Sequence, residues 1–202
     1  MTGTVPPGLR GARVLVTGGA GFVGAHLAVR LALAVPSATV VALDNLQRLG
    51  SELHLPDLEA AGVAFVRGDI RSRADIAAAG AFNLLIDCAA EPSVLAGYDG
   101  SPDAVIQTNL VGTINCLEAA RLNRADVVFL STSRVYPIAA VNAIPTVEHG
   151  DRFRIASSAA GTGFSANGIN ELFPLNGPRS LYRSEEHTSE LQSRFGISYA
   201  VF

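Results

Sequence analysis

Residues 17–24 read TGGAGFVG, and this stretch limits the fold more tightly than any other part of the chain. Gly18, Gly21 and Gly24 form a G-x-x-G-x-x-G turn between an apolar, β-branched run at 13–17 (RVLVT) and a helix-patterned stretch at 24–35, which Pro36 closes. That context matters, because glycine turns also arise for plain packing reasons. Gly18 permits the tight turn. Gly21 lets the backbone come close to a pyrophosphate, and Gly24 lets the helix lie close on the sheet. The helix N-terminus then offers N–H groups and a positive dipole end to phosphate oxygens, and Phe22 and Val23, within the turn, join the cofactor-binding residues.

Further apolar runs alternate with helical stretches. Strands are expected at 39–43 (TVVAL), 64–66, 84–89 (LLIDCA) and 127–131 (VVFLS), with a sixth beginning at 198–202. A weak helix is expected at 74–79. A longer one is expected at 102–122, where Val105, Ile106, Leu110, Ile114 and Leu117 recur at helical spacing. Near-continuous apolar strands separated by helices imply a parallel sheet covered on both faces, so the expected class is α/β with a Rossmann-type doubly wound sheet. Residues 1–11 read as a disordered tail and 12–202 as one dinucleotide-binding domain. Residues 137–180 have no clear period, and loops that long are usually functional or mobile.

Composition excludes several classes. Apolar residues make up 49% and charged residues 16% of the 202 positions, which argues against disorder. A net charge of −3 gives no reason to expect a nucleic-acid or membrane partner. Cys88 and Cys116 lie in apolar segments and read as buried thiols. There is no apolar core near the N-terminus for a signal peptide and no run of about 18 apolar residues for a membrane span, so the cytoplasm is the default location. No metal site is expected.

Asp44 closes the second strand, where a carboxylate accepts from the adenosine ribose hydroxyls and repels a 2′-phosphate. NAD is therefore expected over NADP, with Arg48 close by as the one feature favouring the latter. Asp69, in Gly68-Asp69-Ile70, follows the third strand and would take the adenine amino group; a turn or helix-capping aspartate is the plainer alternative. Ala89 and Ala90 follow the fourth strand, where small residues let a cofactor lie against the backbone, or simply pack closely.

TGGAGFVG, the Asp44-Asn45-Leu46 turn, Gly68-Asp69-Ile70, Asn109 in NLVGT, and Ser131-Thr132 followed by Val135-Tyr136 together resemble the extended short-chain dehydrogenase/reductases, the NAD-dependent epimerase/dehydratase family. The resemblance covers residues 12–182. It implies bound NAD and a nucleotide-diphosphate sugar substrate. Asn45, Ile70, Asn109 and Ser131 join the cofactor-binding residues by this resemblance. Thr132 matches the hydroxyl that bonds the reacting sugar hydroxyl, although a strand-end threonine can instead bond the backbone. Tyr182 matches the catalytic tyrosine of a Y-x-x-x-K pair, which also touches the cofactor; a packing tyrosine is the alternative. Family dehydratases carry Asp-Glu after the threonine, whereas this chain has Ser133-Arg134. Residues 91–103, 109–119 and 131–138 are most similar to the CDP-paratose 2-epimerase branch. The implied chemistry is epimerisation through transient oxidation, at C2 in that branch or at C4 in the 4-epimerases. Relatives often dimerise through two helices, so a homodimer is a further expectation.

The chain also departs from the pattern. The family lysine should stand four residues after Tyr182, but position 186 is Glu186, and the chain has no lysine at all. A carboxylate there would disfavour the phenolate that a lysine favours. Residues 183–193 (RSEEHTSELQS) resemble a translated sequencing adapter, and Leu191 is their only large apolar residue. The C-terminal substrate domain is expected to be missing and the chain as written to be inactive. A catalytically silent dinucleotide-binding protein is the reading from another class, and an oxidoreductase that releases its cofactor is a third.

Overall fold

The computed structural model describes residues 7–91, 101–131 and 135–176. They fall into two compact units, one within residues 1–131 and one within 132–184, where the sequence suggests a single domain from 12 to 202.

The first unit is built on five strands: β1 (Arg13–Thr17), β2 (Thr39–Asp44), β3 (Ala64–Arg67), β4 (Leu84–Asp87) and β5 (Asp126–Phe129). All pair in parallel, in the order β3-β2-β1-β4-β5. That is the doubly wound arrangement expected, with the switch point between β1 and β4. β1 and β2 are buried almost throughout, whereas β3 and β5 are the edges and are only half-buried.

Helices cover both faces. On one face, Val14, Val16, Val40 and Ala42 pack with Ala25 and Ala28 of α1 (Phe22–Ala34) and Leu58 of α2 (Leu55–Ala60). On the other, Leu15, Val41, Leu43 and Leu85 pack with Ile76 of α3 (Arg73–Ala78) and with Cys116 and Ala120 of α5 (Thr113–Asn123). The buried positions of α1 are Gly24, Ala25 and Ala28, small residues that let the helix lie close on the sheet. α2 and the 3₁₀ turn before it (Ser51–His54) are absent from the sequence reading, because Pro56 and a six-residue length hide the period.

The expected helix at 102–122 has three parts. α4 (Asp103–Val105) leads into a π-helix (Ile106–Gly112), and α5 follows without a break. The apolar period does not reveal the wider turn. Strand ends also shift: the fourth stops at Asp87 rather than Ala89, and the fifth at Phe129 rather than Ser131. In both cases the chain turns away at the carboxyl end of the sheet. Residues 7–11, expected in the tail, hold a 3₁₀ turn (Pro7–Leu9), and Ala12 N–H bonds to the Leu9 carbonyl. The expected strand at 198–202 and the 183–193 segment lie outside the described residues.

The second unit holds α6 (Ile138–Asn142) and two small antiparallel pairs, β6–β7 (Thr146–His149 with Arg152–Ile155) and β8–β9 (Phe164–Ser165 with Gly168–Ile169). An aromatic group of Tyr136, Phe164 and Phe173 gathers its interior. Among the described residues no helix is long and apolar enough to cross a membrane.

Candidate functional site

A cleft of about 340 Å³ lies at the carboxyl end of the sheet, at the switch point. Its floor is the turn after β1. Gly18 sits at φ +60, and a Cβ there would come within 2.9 Å of the Ala89 backbone. A Cβ on Gly24 would strike the Gly18 carbonyl group. Gly21 is the N-cap of α1 and has no side-chain cap bond. Among the described residues a Cβ on it would meet only the Gly18 carbonyl, at 3.0 Å. The first-turn N–H groups of Phe22, Val23 and Gly24 lack intrahelical acceptors by helix geometry, and all three residues line the cleft. His54 fastens the same turn from behind, with Nδ1 2.8 Å from the Ala20 carbonyl oxygen.

The rim is polar. Asp44 ends β2 and accepts from Ala20 N–H at 3.1 Å and from Leu46 N–H at 2.8 Å. The second bond holds Leu46 in the left-handed region, at φ +57. Each carboxylate oxygen keeps capacity for a further donor. Asn45 reaches Asp69 at 3.0 Å. Asp69 also accepts the Arg71 backbone N–H at 2.9 Å and the Arg71 guanidinium at 2.9 and 2.6 Å. The guanidinium is the main reason its carboxyl lies well below the usual range. Four donors fill the roughly four acceptor sites of a carboxylate. An adenine amino group would therefore have to displace one of them, a constraint the sequence did not reveal.

Ile70, 5% exposed, and Ala89 and Ala90 line the cleft beside these residues. Asn109 lies in the π-helix and is buried. Its side chain accepts from the Glu91 N–H at 2.7 Å and donates to the Glu91 carbonyl at 3.4 Å, pinning the backbone just after Ala90. Ser131 lies two residues beyond β5 and is exposed. Thr132, Ser133, Arg134, Tyr182 and Glu186 lie outside the described residues.

Sequence reasoning passed over Thr108 and Ser51, which also line the cleft, and Asp87. Asp87 is 2% exposed, and burial pushes its carboxyl up to about 6. The only signal for it was an acid inside an apolar run. Cys88 is half-buried and Cys116 buried; both are free, and burial pushes the Cys88 thiol up to about 12. Among the described residues no cluster suits a metal ion.

The arrangement suits an extended anionic ligand. The glycine cradle, which side chains would fill, leaves room for a diphosphate against the helix N-terminus. A carboxylate at the end of β2 stands where a ribose would lie. A doubly wound sheet with this cradle at its switch point defines a dinucleotide-binding α/β protein.

The NAD dependent epimerase/dehydratase family matches residues 14–190, and the chain belongs to it. It is 35% identical over 136 residues to UDP-glucuronic acid decarboxylase 2 of Arabidopsis thaliana, covering 66% of this chain and 29% of that protein. It is 32% identical over 130 residues to CDP-paratose 2-epimerase of Salmonella typhi, covering 61% and 38%. Several dTDP-glucose 4,6-dehydratases are also among its relatives. Among solved structures, the UDP-glucose 4-epimerase of Thermus thermophilus in complex with NAD is similar at TM-score 0.61 and 28% identity, covering 90% of this chain and 50% of that one. The chain thus spans well under two thirds of the length of the relatives it matches.

Proposed function

We propose that this chain is the NAD-binding part of a nucleotide-sugar epimerase that works by transient oxidation of a sugar carbon. The observation that carries the reading is the cradle of Gly18, Gly21 and Gly24 facing Asp44 across one cleft. In this reading the N–H groups of Phe22, Val23 and Gly24 hold the diphosphate. Asp44 accepts from the adenosine ribose hydroxyls, while Asn45, Asp69 and Ile70 border the adenine. Ala89 and Ala90 lie along the cofactor, and Asn109 keeps that backbone in place. Ser131 lies near the nicotinamide end. NAD, when bound, accepts and returns a hydride at the sugar carbon. Thr132 bonds the reacting hydroxyl and Tyr182 moves its proton, a kind of assistance typically worth about 10²- to 10⁴-fold.

CDP-paratose, epimerised at C2, is the favoured substrate. The resemblance of residues 91–103, 109–119 and 131–138 supports it, as does the relative from Salmonella typhi. Ser133-Arg134 in place of an Asp-Glu pair speaks against dehydration. The test supplies CDP-paratose to a version carrying a family-like helix at 183–193 and a C-terminal substrate region. The C2 epimer should form with catalytic NAD and no net NADH, and water elimination in its place would refute the assignment.

One observation favours a second reading, a dinucleotide-binding protein without catalysis. Glu186 stands where the family has lysine, and there is no lysine elsewhere to replace it. The 202-residue chain is accordingly expected to show no epimerase activity above background. A version that gains the C-terminal substrate region but keeps residues 183–193, compared with and without Glu186→Lys, should show higher turnover with the lysine if the site is catalytic, and background in both if the protein only binds.

A further inference from the structure

Asp87 ends β4 beneath the cleft and takes no part in the reading above. Its Oδ1 accepts the Thr17 hydroxyl at 2.5 Å and the Ala89 N–H at 3.3 Å. Its Oδ2 is buried and has no hydrogen-bond partner among the described residues. Both donors adjoin the cradle. Thr17 directly precedes Gly18, and Ala89 is the residue against which Gly18 packs. One carboxyl oxygen thus fastens the turn after β1 to the turn after β4.

The surroundings favour a neutral acid. Among the described residues the titratable groups packed nearest are thiols, Cys88 just after β4 and Cys116 on α5. β1 presents the Thr17 hydroxyl, and the segment after β5 presents backbone, with Leu130 N–H bonding the Asp87 carbonyl at 3.0 Å. Among the described residues no cation influences this carboxyl. A bare, buried oxygen costs less as part of a neutral acid than as part of an ion.

We propose that Asp87 is a positioning residue for the dinucleotide: it ties the β1 and β4 turns together so that Gly18 and Ala89 form one floor. This rests on the reading of the cleft as a dinucleotide site. A diphosphate on that floor brings negative charge close to Asp87 and favours its neutral form. By linkage, the neutral form favours the diphosphate equally. Burial already brings the carboxyl up to about 6, so cofactor binding near neutral pH takes up protons.

The test is NAD⁺ titration calorimetry on the full chain at about pH 5 and about pH 8, with ¹³C NMR of aspartate carboxyls in the cofactor-free chain. Wild-type affinity should fall about tenfold across that range for each unit by which the cofactor raises the carboxyl's pKa. Asp87→Asn, which keeps the acceptor and cannot ionise, should bind with a flat profile. The near-isosteric Thr17→Val should weaken binding at both pH values. One aspartate carboxyl should titrate near pH 6 and vanish in Asp87→Asn. A flat wild-type profile, an Asp87→Asn chain as weak as Thr17→Val, or an Asp87 signal in the ordinary aspartate range would overturn this inference and leave the cofactor reading intact. Failure of every form to bind NAD⁺ would instead overturn the cofactor reading and this inference with it.

Discussion

The floor and the rim of the cleft are held by different physics. On the floor, Gly18 and Gly24 leave no room for a Cβ, Asp87 is sealed from water, and His54 bonds the Ala20 carbonyl. On the rim, Asn45, Asp69 and Arg71 form a half-exposed network in which the Asp69–Arg71 pair measures 2.6 Å. Packing fixes the floor, so errors there cannot be absorbed. Solvent-screened polar bonds hold the rim, which can rearrange around a ligand. The contrast predicts steep costs for floor substitutions and shallow ones for rim substitutions.

The largest effect should come from Gly24→Ala. The added methyl meets the Gly18 carbonyl, which is backbone and cannot swing aside. A loss of about 3 kcal/mol is expected, the upper range for overpacking, read from the urea midpoint. A loss below about 0.5 kcal/mol would show that the floor yields.

Asp87→Asn comes next, with the opposite sign at neutral pH. The folded carboxyl is raised to about 6 from 3.8. Such a group's stabilising contribution is fully present below the unfolded value and is lost as pH rises through the folded one. Between about pH 4 and about pH 7 the wild type should therefore lose about 2 kcal/mol relative to Asp87→Asn. Parallel stability curves for the two proteins would contradict the buried-acid assignment.

Arg71→Ala should have the smallest effect. Asp69 is held below its ordinary range chiefly by the guanidinium, so the pair's contribution is present above that range and is lost as pH falls through the folded value. The two side chains are 38% and 21% exposed, so screening keeps their contribution at about 0.5 kcal/mol. The substitution also frees two acceptor positions on Asp69, and NAD⁺ affinity should hold or rise. A loss of more than about 2 kcal/mol in stability would make the rim as rigid as the floor.

The same division decides what was legible in the sequence. β1, β2 and the glycine turn are local signals: a β-branched run, three glycines at fixed spacing, and a helix stopped by Pro36. Asp44, Asp69, Ala89 and Ala90 could be placed because parallel strands end on one side, and all four line the cleft. Contacts between distant segments could not be read. The Thr17–Asp87 bond spans 70 positions and the Asn45–Asp69 bond 24. The π-helix was hidden because Val105, Ile106 and Leu110 keep an apolar pattern while the backbone widens around Asn109. Residues 135–176 were least legible. Their strands are two to four residues long and mostly exposed, so the alternation that marks a half-buried strand never develops.

Whether the cleft is a site for NAD is decided by titration calorimetry of the 202-residue chain with NAD⁺ and NADP⁺, repeated with Asp44→Ala. NAD⁺ should bind more tightly than NADP⁺, and Asp44→Ala should weaken NAD⁺ binding by about 1–3 kcal/mol, the scale of a charge-assisted hydrogen bond. Equal affinity for the two cofactors, or NAD⁺ binding untouched by the loss of the Asp44 carboxylate, would contradict an NAD site there.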